Sequence, residues 1–434
     1  MINIIFMRQK GVLCHAAPAS EVIPDPVNLF EPGCRFSIRI NIIRILVILK
    51  KTIPVHRALI IKIIIHIIDQ FPAGRHFSGS KLSWLLDRLG LHERAERGEI
   101  CFGTVDSFLA WNLVSGRPHV TDATNASRTM LFDIRKNDWD DTLLDALNIP
   151  RAVLPRVTDT SGVIGMLDPS ILGRSIPVAA LCGDQHSALF GQGCFEPGMM
   201  KNTYGTGCFL LMNTGDQPAV SRNGLVSTIA WRLNGTCTYA LEGSVFVAGA
   251  AIQWLRDEMK IIERASETET IARSLPDNGG VYMVPTFTGL GAPYWDMYSR
   301  GTIIGLTRGT GRAHVVRAAL ESIAYQSADL VSAMASDCGR KPSELRVDGG
   351  ASANQFLMQF QADVLGCKVI RPAVIETTAL GAALLAGLAV GVWKDMDEIR
   401  RVWQMDLSLT PQMTEQEREK AMTLWHRAVK RSMR

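Results

Sequence analysis

The sequence lacks the two common phosphate-binding segments, since neither a Walker A segment nor Gly-x-Gly-x-x-Gly occurs in its 434 residues. A bound nucleotide would therefore need a different phosphate-binding structure. Cys-x-x-Cys pairs are also lacking, and the nine cysteines lie scattered from Cys14 to Cys367. An odd, unpaired set of this kind argues against a disulfide framework or a zinc site and favours a reducing, cytoplasmic setting.

The chain also has little net charge. It carries 46 Lys and Arg against 42 Asp and Glu, a formal net charge of +4. Nine of these basic and four of these acidic residues lie in residues 1–70, so residues 71–434 carry a net charge of −1. Nucleic-acid binding is not expected, because it requires a basic stripe across the folded part of the chain. Length and composition instead favour two or three globular domains.

The first 70 residues are poor in glycine, with only Gly11 and Gly33, and they contain 18 isoleucines. Within Ile38–Ile68, no uninterrupted apolar run approaches the roughly 20 residues of a membrane span. Three interpretations stay open for this segment: a pair of buried strands or an amphipathic helix, a basic helix on a membrane surface, or a targeting peptide. Pro54 disfavours the membrane helix, and three early acidic residues disfavour the targeting peptide.

After residue 77 the pattern is that of an α/β enzyme. The apolar residues that follow Ser78 recur at spacings of three and four, which predicts an amphipathic helix carrying Leu82, Leu85, Leu86 and Leu89. A second helix is predicted to begin near Thr104 and to include Phe108 and Trp111. Core packing explains both helices without any further role.

The apolar run from Ile176 predicts a buried strand that ends in Gly183-Asp184-Gln185, followed by a helix. Open α/β sheets place catalytic groups at the carboxyl ends of such strands, which makes Asp184 a candidate catalytic residue. Alternatively, the Asp184 side chain caps the amino-terminal end of the following helix. The sequence pattern leaves both interpretations open.

Two further turns are rich in glycine. The stretch from Lys201 to Met212 predicts two strands around Gly205-Thr206-Gly207, where small residues let backbone amides and a hydroxyl approach an anion. A plain hairpin turn is the alternative. The stretch from Leu345 to Asn354 predicts a strand that runs through Asp-Gly-Gly into a helix, an arrangement that brings backbone amides close to a ligand or serves packing alone. Asn354 lies four residues past Gly350, about one helical turn, so this spacing predicts that its amide reaches a base or ribose near the same turn.

These stretches and several others match one family from about Phe77 to Arg434. The stretches are Phe102-Gly-Thr-Val-Asp-Ser, Thr124-Asn-Ala-Ser-Arg-Thr-Met, Cys182-Gly-Asp-Gln, Lys201-Asn-Thr-Tyr-Gly-Thr-Gly-Cys-Phe, Tyr239-Ala-Leu-Glu-Gly-Ser, Gly249-Ala-Ala-Ile-Gln-Trp, Phe287-Thr-Gly-Leu-Gly-Ala-Pro-Tyr-Trp-Asp, Arg346-Val-Asp-Gly-Gly and Thr377-Thr-Ala-Leu-Gly-Ala-Ala. Through them the chain resembles the FGGY family of carbohydrate kinases, in the actin-like and hexokinase-like ATPase superfamily, and within that family the bacterial glycerol kinases.

The resemblance implies an α/β fold with two actin-like, ribonuclease H-like ATPase domains around a cleft, the first of them incomplete. The expected division is a leader without family match in residues 1–75, a remnant of the amino-terminal domain in 76–195 and a carboxy-terminal nucleotide-binding domain in 198–434. The implied reaction is the cytoplasmic, ATP-dependent phosphorylation of glycerol to sn-glycerol 3-phosphate with Mg²⁺. The implied partners are glycerol, ATP and further copies of the chain in a dimer or tetramer, with neither nucleic acid nor membrane.

The resemblance also assigns roles to residues that bind the polyol and the transferred phosphate. Asp184 is implied as the base that accepts the proton of the primary hydroxyl, and Gln185 as a contact to the polyol. Phe209 is implied as the apolar wall of the glycerol pocket, which argues against the runner-up function of another FGGY polyol or sugar kinase. Thr206 is implied to face the transferred phosphate.

For the nucleotide, the resemblance implies that Gly249 and Gln253 line its site and that Gly350 and Asn354 hold the adenosine. The stretch from Leu167 to Pro177 stands where family members bind fructose 1,6-bisphosphate. It keeps a single Gly-Arg pair, at Gly173, so we do not predict that regulation.

The first 76 residues depart from the family pattern. They lack its Asp-x-Gly-Thr-Thr-Ser-x-Arg hairpin with a Mg²⁺-associated aspartate, the Arg-Glu pair and the tryptophan of the glycerol pocket, and His76 replaces a tyrosine. One interpretation is a misread or frame-shifted leader on a truncated, inactive glycerol kinase. The other is a real replacement that makes the chain a nucleotide-binding pseudo-kinase or an assembly partner. Exposed sheet edges in such a chain predict poor solubility.

Overall fold

A computed structural model of the chain describes residues 4–7 and 77–433. These residues form two compact units. The first unit consists of the described residues up to Asn112, together with Gly116–Thr121 and Arg128–Val157. The second unit consists of Leu113–Ser115, Asp122–Ser127 and Thr158–Arg434. Ile38–Ile68, for which three interpretations stay open, lie outside the described residues. His76, which replaces a tyrosine of the family pattern, also lies outside them.

Short elements dominate residues 4–7 and 77–191. In chain order they are β1 (Ile4–Met7), α1 (Gly79–Leu89), α2 (His92–Glu96), β2 (Ile100–Gly103), α3 (Val105–Leu113), β3 (Val120–Asp122), α4 (Ala123–Ala126), β4 (Phe132–Asp133), β5 (Asp138–Trp139), α5 (Asp141–Leu147), a 3₁₀ turn (Arg151–Val153), β6 (Arg156–Thr158), β7 (Ser161–Met166), α6 (Pro169–Leu172), β8 (Pro177–Ala180) and α7 (Asp184–Gly191).

Both predicted amino-terminal helices are confirmed. The first is α1, whose Leu82 and Leu86 are buried while Leu89 lies on the exposed side. It ends at Gly90, which has a φ of 63° and donates its N–H to the carbonyls of the last turn, the usual termination by a left-handed glycine. The second helix is α3, and Ala110 is buried on its inner face.

The remaining elements belong to the second unit. In chain order they are β9 (Met200–Tyr204), β10 (Cys208–Gly215), β11 (Val226–Leu233), β12 (Thr236–Val245), α8 (Gly249–Asp257), α9 (Glu267–Arg273), β13 (Tyr282–Val284), β14 (Thr302–Ile304), α10 (Arg312–Cys338), β15 (Glu344–Asp348), a 3₁₀ turn (Gly350–Ala353), α11 (Gln355–Leu365), β16 (Lys368–Pro372), α12 (Thr377–Ala389), α13 (Met396–Val402), β17 (Met405–Leu409) and α14 (Glu415–Ser432).

A seven-stranded mixed sheet organises the second unit, in the order β11-β12-β10-β9-β15-β16-β17. Strands β9 and β15 are parallel, as are β15 and β16, while the other neighbours are antiparallel. The 27-residue helix α10 packs on this sheet and on α11, and buried apolar residues of these elements form one continuous core. The carboxyl ends of β9 and β15 therefore open at the same edge of the sheet.

One predicted strand differs from its expected setting. The run from Ile176 forms β8, which pairs antiparallel with β7 in a separate two-stranded sheet, and only Ala179 of its four residues is buried. The strand and the helix that follows it are confirmed, but the expectation that this strand is buried was wrong. An apolar run of this length does not by itself distinguish a sheet-core strand from a half-covered hairpin.

The compact units also divide elsewhere than at the predicted boundary between residues 195 and 198. Residues 158–195 belong to the second unit, because α7, β7 and β8 all pack on α12. The Ser161 hydroxyl donates to the Leu385 carbonyl over 2.7 Å, and the Ser187 hydroxyl donates to the Thr378 carbonyl over 2.6 Å. Within residues 4–7 and 77–433, no helix has both the length and the apolar character that a membrane crossing demands.

Candidate active site

The turn between β9 and β10 holds the predicted anion-binding residues. Strands β9 and β10 form the expected hairpin, with Tyr204 opposite Cys208, and Gly205 and Thr206 are exposed at its tip. The carbonyls of these two residues accept N–H groups from Ala248, Gly249 and Ala250 over 2.9–3.1 Å. The turn is thus fixed against the first turn of α8.

Glycine is required at Gly249 and at Gly207 because other backbone lies close to them. A Cβ at Gly249 would lie 2.5 Å from the Gly205 carbonyl oxygen, and one at Gly207 would lie 2.3 Å from the carbonyl oxygen of Val245. The Gly249 N–H already donates to Gly205, so this amide does not point at a ligand. Glycine at position 249 instead allows the two backbone segments to approach each other closely. Gln253 follows one turn later on α8 and is exposed.

The predicted turn after β15 lies next to the same hairpin. Asp348 pairs with Thr203 across the parallel strands, and Gly349 has a φ of 83° that favours glycine. A Cβ at Gly349 would also lie 2.5 Å from the Tyr204 carbonyl oxygen. The Asp348 carboxylate is buried and accepts hydrogen bonds from Gln192 and Thr377, so it holds α7 and α12 to the sheet.

Asn354 occupies a position that the spacing did not predict. Gly350–Ala353 form a 3₁₀ turn, and Asn354 is the N-cap of α11 rather than a residue one helical turn inside it. Its side-chain oxygen accepts the Leu357 N–H over 3.0 Å, and its Nδ2 donates to the Thr268 hydroxyl over 3.2 Å. Gly350, the first residue of this turn, is exposed, and a Cβ there would meet open space.

The structure excludes one of the two interpretations of Asp184. Gly183 is the N-cap of α7, and Asp184 is the first helical residue, so the interpretation of Asp184 as an N-cap was wrong. The Asp184 carboxylate is exposed and accepts the N–H of Gln185 over 2.8 Å. Acidic residues are favoured in a first helical turn, and this placement leaves most of the carboxylate to solvent or to a ligand.

Lys201 joins α7 to the hairpin, and the sequence analysis did not single it out. Its Nζ donates to Oε1 of Gln185 and, over 2.8 Å, to the Thr203 hydroxyl. The side chain is fully buried, and burial lowers the pKa of the ammonium group, opposed by the carboxylates of Asp348, Glu242 and Asp184. A lysine in a strand predicted to lie in the core was the signal that could have found it, because lysine is rarely buried without a partner.

The second unit therefore brings together three of the predicted segments: Asp184 with Gln185, the turn at Thr206 and the turn at Gly349. They meet through Lys201 and the paired strands β9 and β15. Phe209 is the second residue of β10 and is 36% exposed, so an aromatic face is open beside the hairpin turn. Within the described part of the chain, no group of three His, Cys, Asp or Glu side chains is placed to hold a metal ion.

Comparisons with known proteins identify the family of the chain. Residues 57–191 match the amino-terminal domain of the FGGY family of carbohydrate kinases, and residues 200–390 match its carboxy-terminal domain. The first match begins earlier than the start at about Phe77 that the motifs predict. Glycerol kinase 2 of Thermotoga maritima is 61% identical over 359 residues, which are 82% of this chain and 72% of that protein. Glycerol kinase of Petrotoga mobilis is 57% identical over 358 residues, with the same coverage of both proteins.

Solved structures agree with the sequence matches. A crystal structure of Plasmodium falciparum glycerol kinase with ADP superposes with a TM-score of 0.77 at 36% identity, over 82% of this chain and 71% of that one. A xylulose kinase from Lactobacillus acidophilus gives a TM-score of 0.68 at 23% identity, over 76% and 67%, and supports the fold alone. The predicted α/β fold with two actin-like domains is confirmed, and the chain belongs to the FGGY family of carbohydrate kinases.

Proposed function

We propose that the chain transfers the γ-phosphoryl group of ATP to a primary hydroxyl of glycerol, giving ADP and sn-glycerol 3-phosphate. Relatives that are 56–61% identical are named glycerol kinases, and the Plasmodium falciparum enzyme was solved with ADP. The observation that carries the proposal is the exposed Asp184 carboxylate at the start of α7 beside Gln185, whose amide is tied through Lys201 to the strand that leads into the Thr206 turn.

Each group has a defined task in this reaction. Asp184 accepts the hydroxyl proton as the hydroxyl oxygen bonds to phosphorus and the bond to the ADP oxygen breaks. Such a base contributes most when it lies within hydrogen-bond reach of that proton. Phosphoryl transfer otherwise depends on positioning and on neutralising the phosphate charge. Gln185 contacts the polyol, Phe209 covers its carbon face, and Thr206 faces the transferred phosphate.

The nucleotide is placed by two other segments. Gly249 and Gln253 line its site along α8, while Gly350 and Asn354 hold the adenosine beside the 3₁₀ turn. Mg²⁺ enters as part of the MgATP substrate, and no protein ligand is assigned to it. We also place the chain in the cytoplasm as a homo-oligomer, a dimer or a tetramer, by analogy with its family.

The full chain is tested by ADP release with glycerol, xylulose or gluconate as acceptor. We expect ADP formation that depends on glycerol, with sn-glycerol 3-phosphate as the product detected by a stereospecific dehydrogenase. Preference for xylulose or gluconate would support another FGGY kinase. Calorimetric binding of ATP without any turnover would instead support the pseudo-kinase alternative, and would contradict the proposed function.

Asn354 offers a test of the adenosine site that separates binding from folding. Asn354→Ala removes the N-cap and is expected to lower the free energy of unfolding by about 1 kcal/mol, whereas Asn354→Asp keeps an oxygen for the Leu357 N–H. Both variants lose the Nδ2 donor, so both are expected to bind ATP about tenfold more weakly. Urea unfolding and calorimetry measure the two effects. An Asp variant with unchanged ATP affinity would remove Asn354 from the nucleotide site.

A further inference from the structure

Lys201 is a buried cation whose position calls for an explanation. It lies in the central strand β9, its side chain has no exposed surface, and among residues 4–7 and 77–433 no carboxylate forms an ion pair with it. Lysine is almost never fully buried unless it is paired, since removing an ammonium group from water is costly. Packing alone would be served better by an apolar residue in this strand.

The partners of the ammonium group are two neutral oxygens. One belongs to Thr203, two residues along the same strand, and the other is Oε1 of Gln185 on α7. An ammonium group has three donors and no acceptor. The end of the Gln185 amide that faces Lys201 must therefore be the oxygen, and the NH₂ end is directed elsewhere as a donor.

The carboxylates around Lys201 explain how the charge is tolerated. Asp348, Glu242 and Asp184 favour the charged ammonium, while burial favours the neutral amine and lowers the pKa. Gln185 immediately follows Asp184 in the first turn of α7. Whatever fixes the Gln185 amide thus acts directly beside the carboxylate that the proposed function uses.

We propose that Lys201 is a positioning residue that fixes the Gln185 amide so that its NH₂ group donates to a hydroxyl oxygen of the polyol. The inference rests on the proposed function for the identity of the polyol. Without the ammonium group, the amide rotates freely between two orientations and presents its oxygen to the substrate for part of the time. Affinity for glycerol falls, and affinity for ATP does not.

The test compares Lys201→Met with wild type in the full chain. Methionine keeps the unbranched stem and removes all three donors. We expect KM for glycerol to rise by about two- to tenfold, the range between a half-populated competent amide and the complete loss of one neutral hydrogen bond, while KM for ATP is unchanged. In a Gln185→Ala background the same change should add nothing further, because both substitutions remove one interaction.

Glu321→Gln is the matched control, since Glu321 is a buried charge on α10 that contacts Arg317 and Asn278 away from the site. It should affect stability without changing KM for glycerol. Lys201→Gln retains a donor and should recover part of the lost affinity. An unchanged KM for glycerol in a folded Lys201→Met protein would overturn the inference and leave only a structural role.

Two further measurements test the orientation of the Gln185 amide. Gln185→Glu keeps an oxygen for Lys201 and replaces the NH₂ donor with a second carboxylate oxygen, so it should fold if Lys201→Met does not. Its KM for glycerol should rise, and an unchanged value counts against the inference. A crystal structure of a Lys201 variant should show the Gln185 amide rotated or in two orientations, and an unmoved amide would overturn the inference. This last result is independent of turnover, whereas a wild-type chain without glycerol-dependent turnover would refute the proposed function.

Discussion

Asp184→Asn is expected to lower kcat for glycerol phosphorylation by about 10²–10⁴-fold, the contribution typical of a positioned general base. Asparagine has nearly the same shape and keeps an oxygen that can accept the Gln185 N–H, but it cannot take up the hydroxyl proton. Because Asp184 is exposed and makes no ion pair within the described part of the chain, its replacement should not disturb folding. Steady-state kinetics and calorimetry with ATP measure the two effects.

Asp397→Asn provides the control for this substitution. Asp397 is likewise an exposed aspartate in the first turn of a helix, α13, so it shares the favourable interaction with the helix dipole. Its replacement should leave kcat unchanged. If Asp184→Asn kept kcat within about threefold of wild type, Asp184 would not be the base, since general-base catalysis accounts for a larger factor.

The sequence predicted the site best where local residue pattern determines local structure. The hairpin around Thr206 and the strand that ends at Asp348 formed as expected, because glycines flank or follow short runs of strand-forming residues. The helix after Gly183-Asp184-Gln185 formed as predicted, yet its N-cap is Gly183, one residue before Asp184. Helix ends are uncertain by one or two residues in any pattern-based prediction.

The contacts that the sequence could not predict join distant parts of the chain. Asn354 is placed by an N-cap bond and by Thr268, 86 residues away, so its spacing from Gly350 was misleading. The Lys201 ammonium group donates to Gln185, which lies on another element. The parallel pairing of β9 with β15, which brings the two glycine turns together, likewise depends on tertiary structure rather than on either turn.

A contact between distant parts of the chain also fixes the position of helix α7. Helices α7 and α12 approach so closely that a Cβ at Gly381 would lie 1.9 Å from the Ser187 carbonyl oxygen, and one at Gly191 would lie 2.1 Å from the carbonyl oxygen of Thr377. Both neighbours are backbone atoms of the other helix, so neither can move aside alone. The pair of glycines sets the distance between the two helices.

Gly381→Ala is therefore expected to destabilise the chain, although alanine in a helix interior ordinarily stabilises it by about 1 kcal/mol relative to glycine. Overpacking against rigid backbone costs about 1–3 kcal/mol and occasionally more, and at 1.9 Å we expect the upper part of this range to prevail. The net loss in the free energy of unfolding should be about 2 kcal/mol. Because α7 begins at Asp184, displacement of this helix should lower kcat as well.

Urea unfolding of Gly381→Ala, with Gly162→Ala as the control, tests the expected loss of stability. Gly162 lies in β7, and a Cβ there would meet no atom within 4 Å, so alanine should be neutral or slightly stabilising through the lower entropy of the unfolded chain. A Gly381→Ala protein as stable as wild type would mean that α7 and α12 separate at little cost. The position of Asp184 would then not depend on this helix contact, and the expected fall in kcat should also be missing.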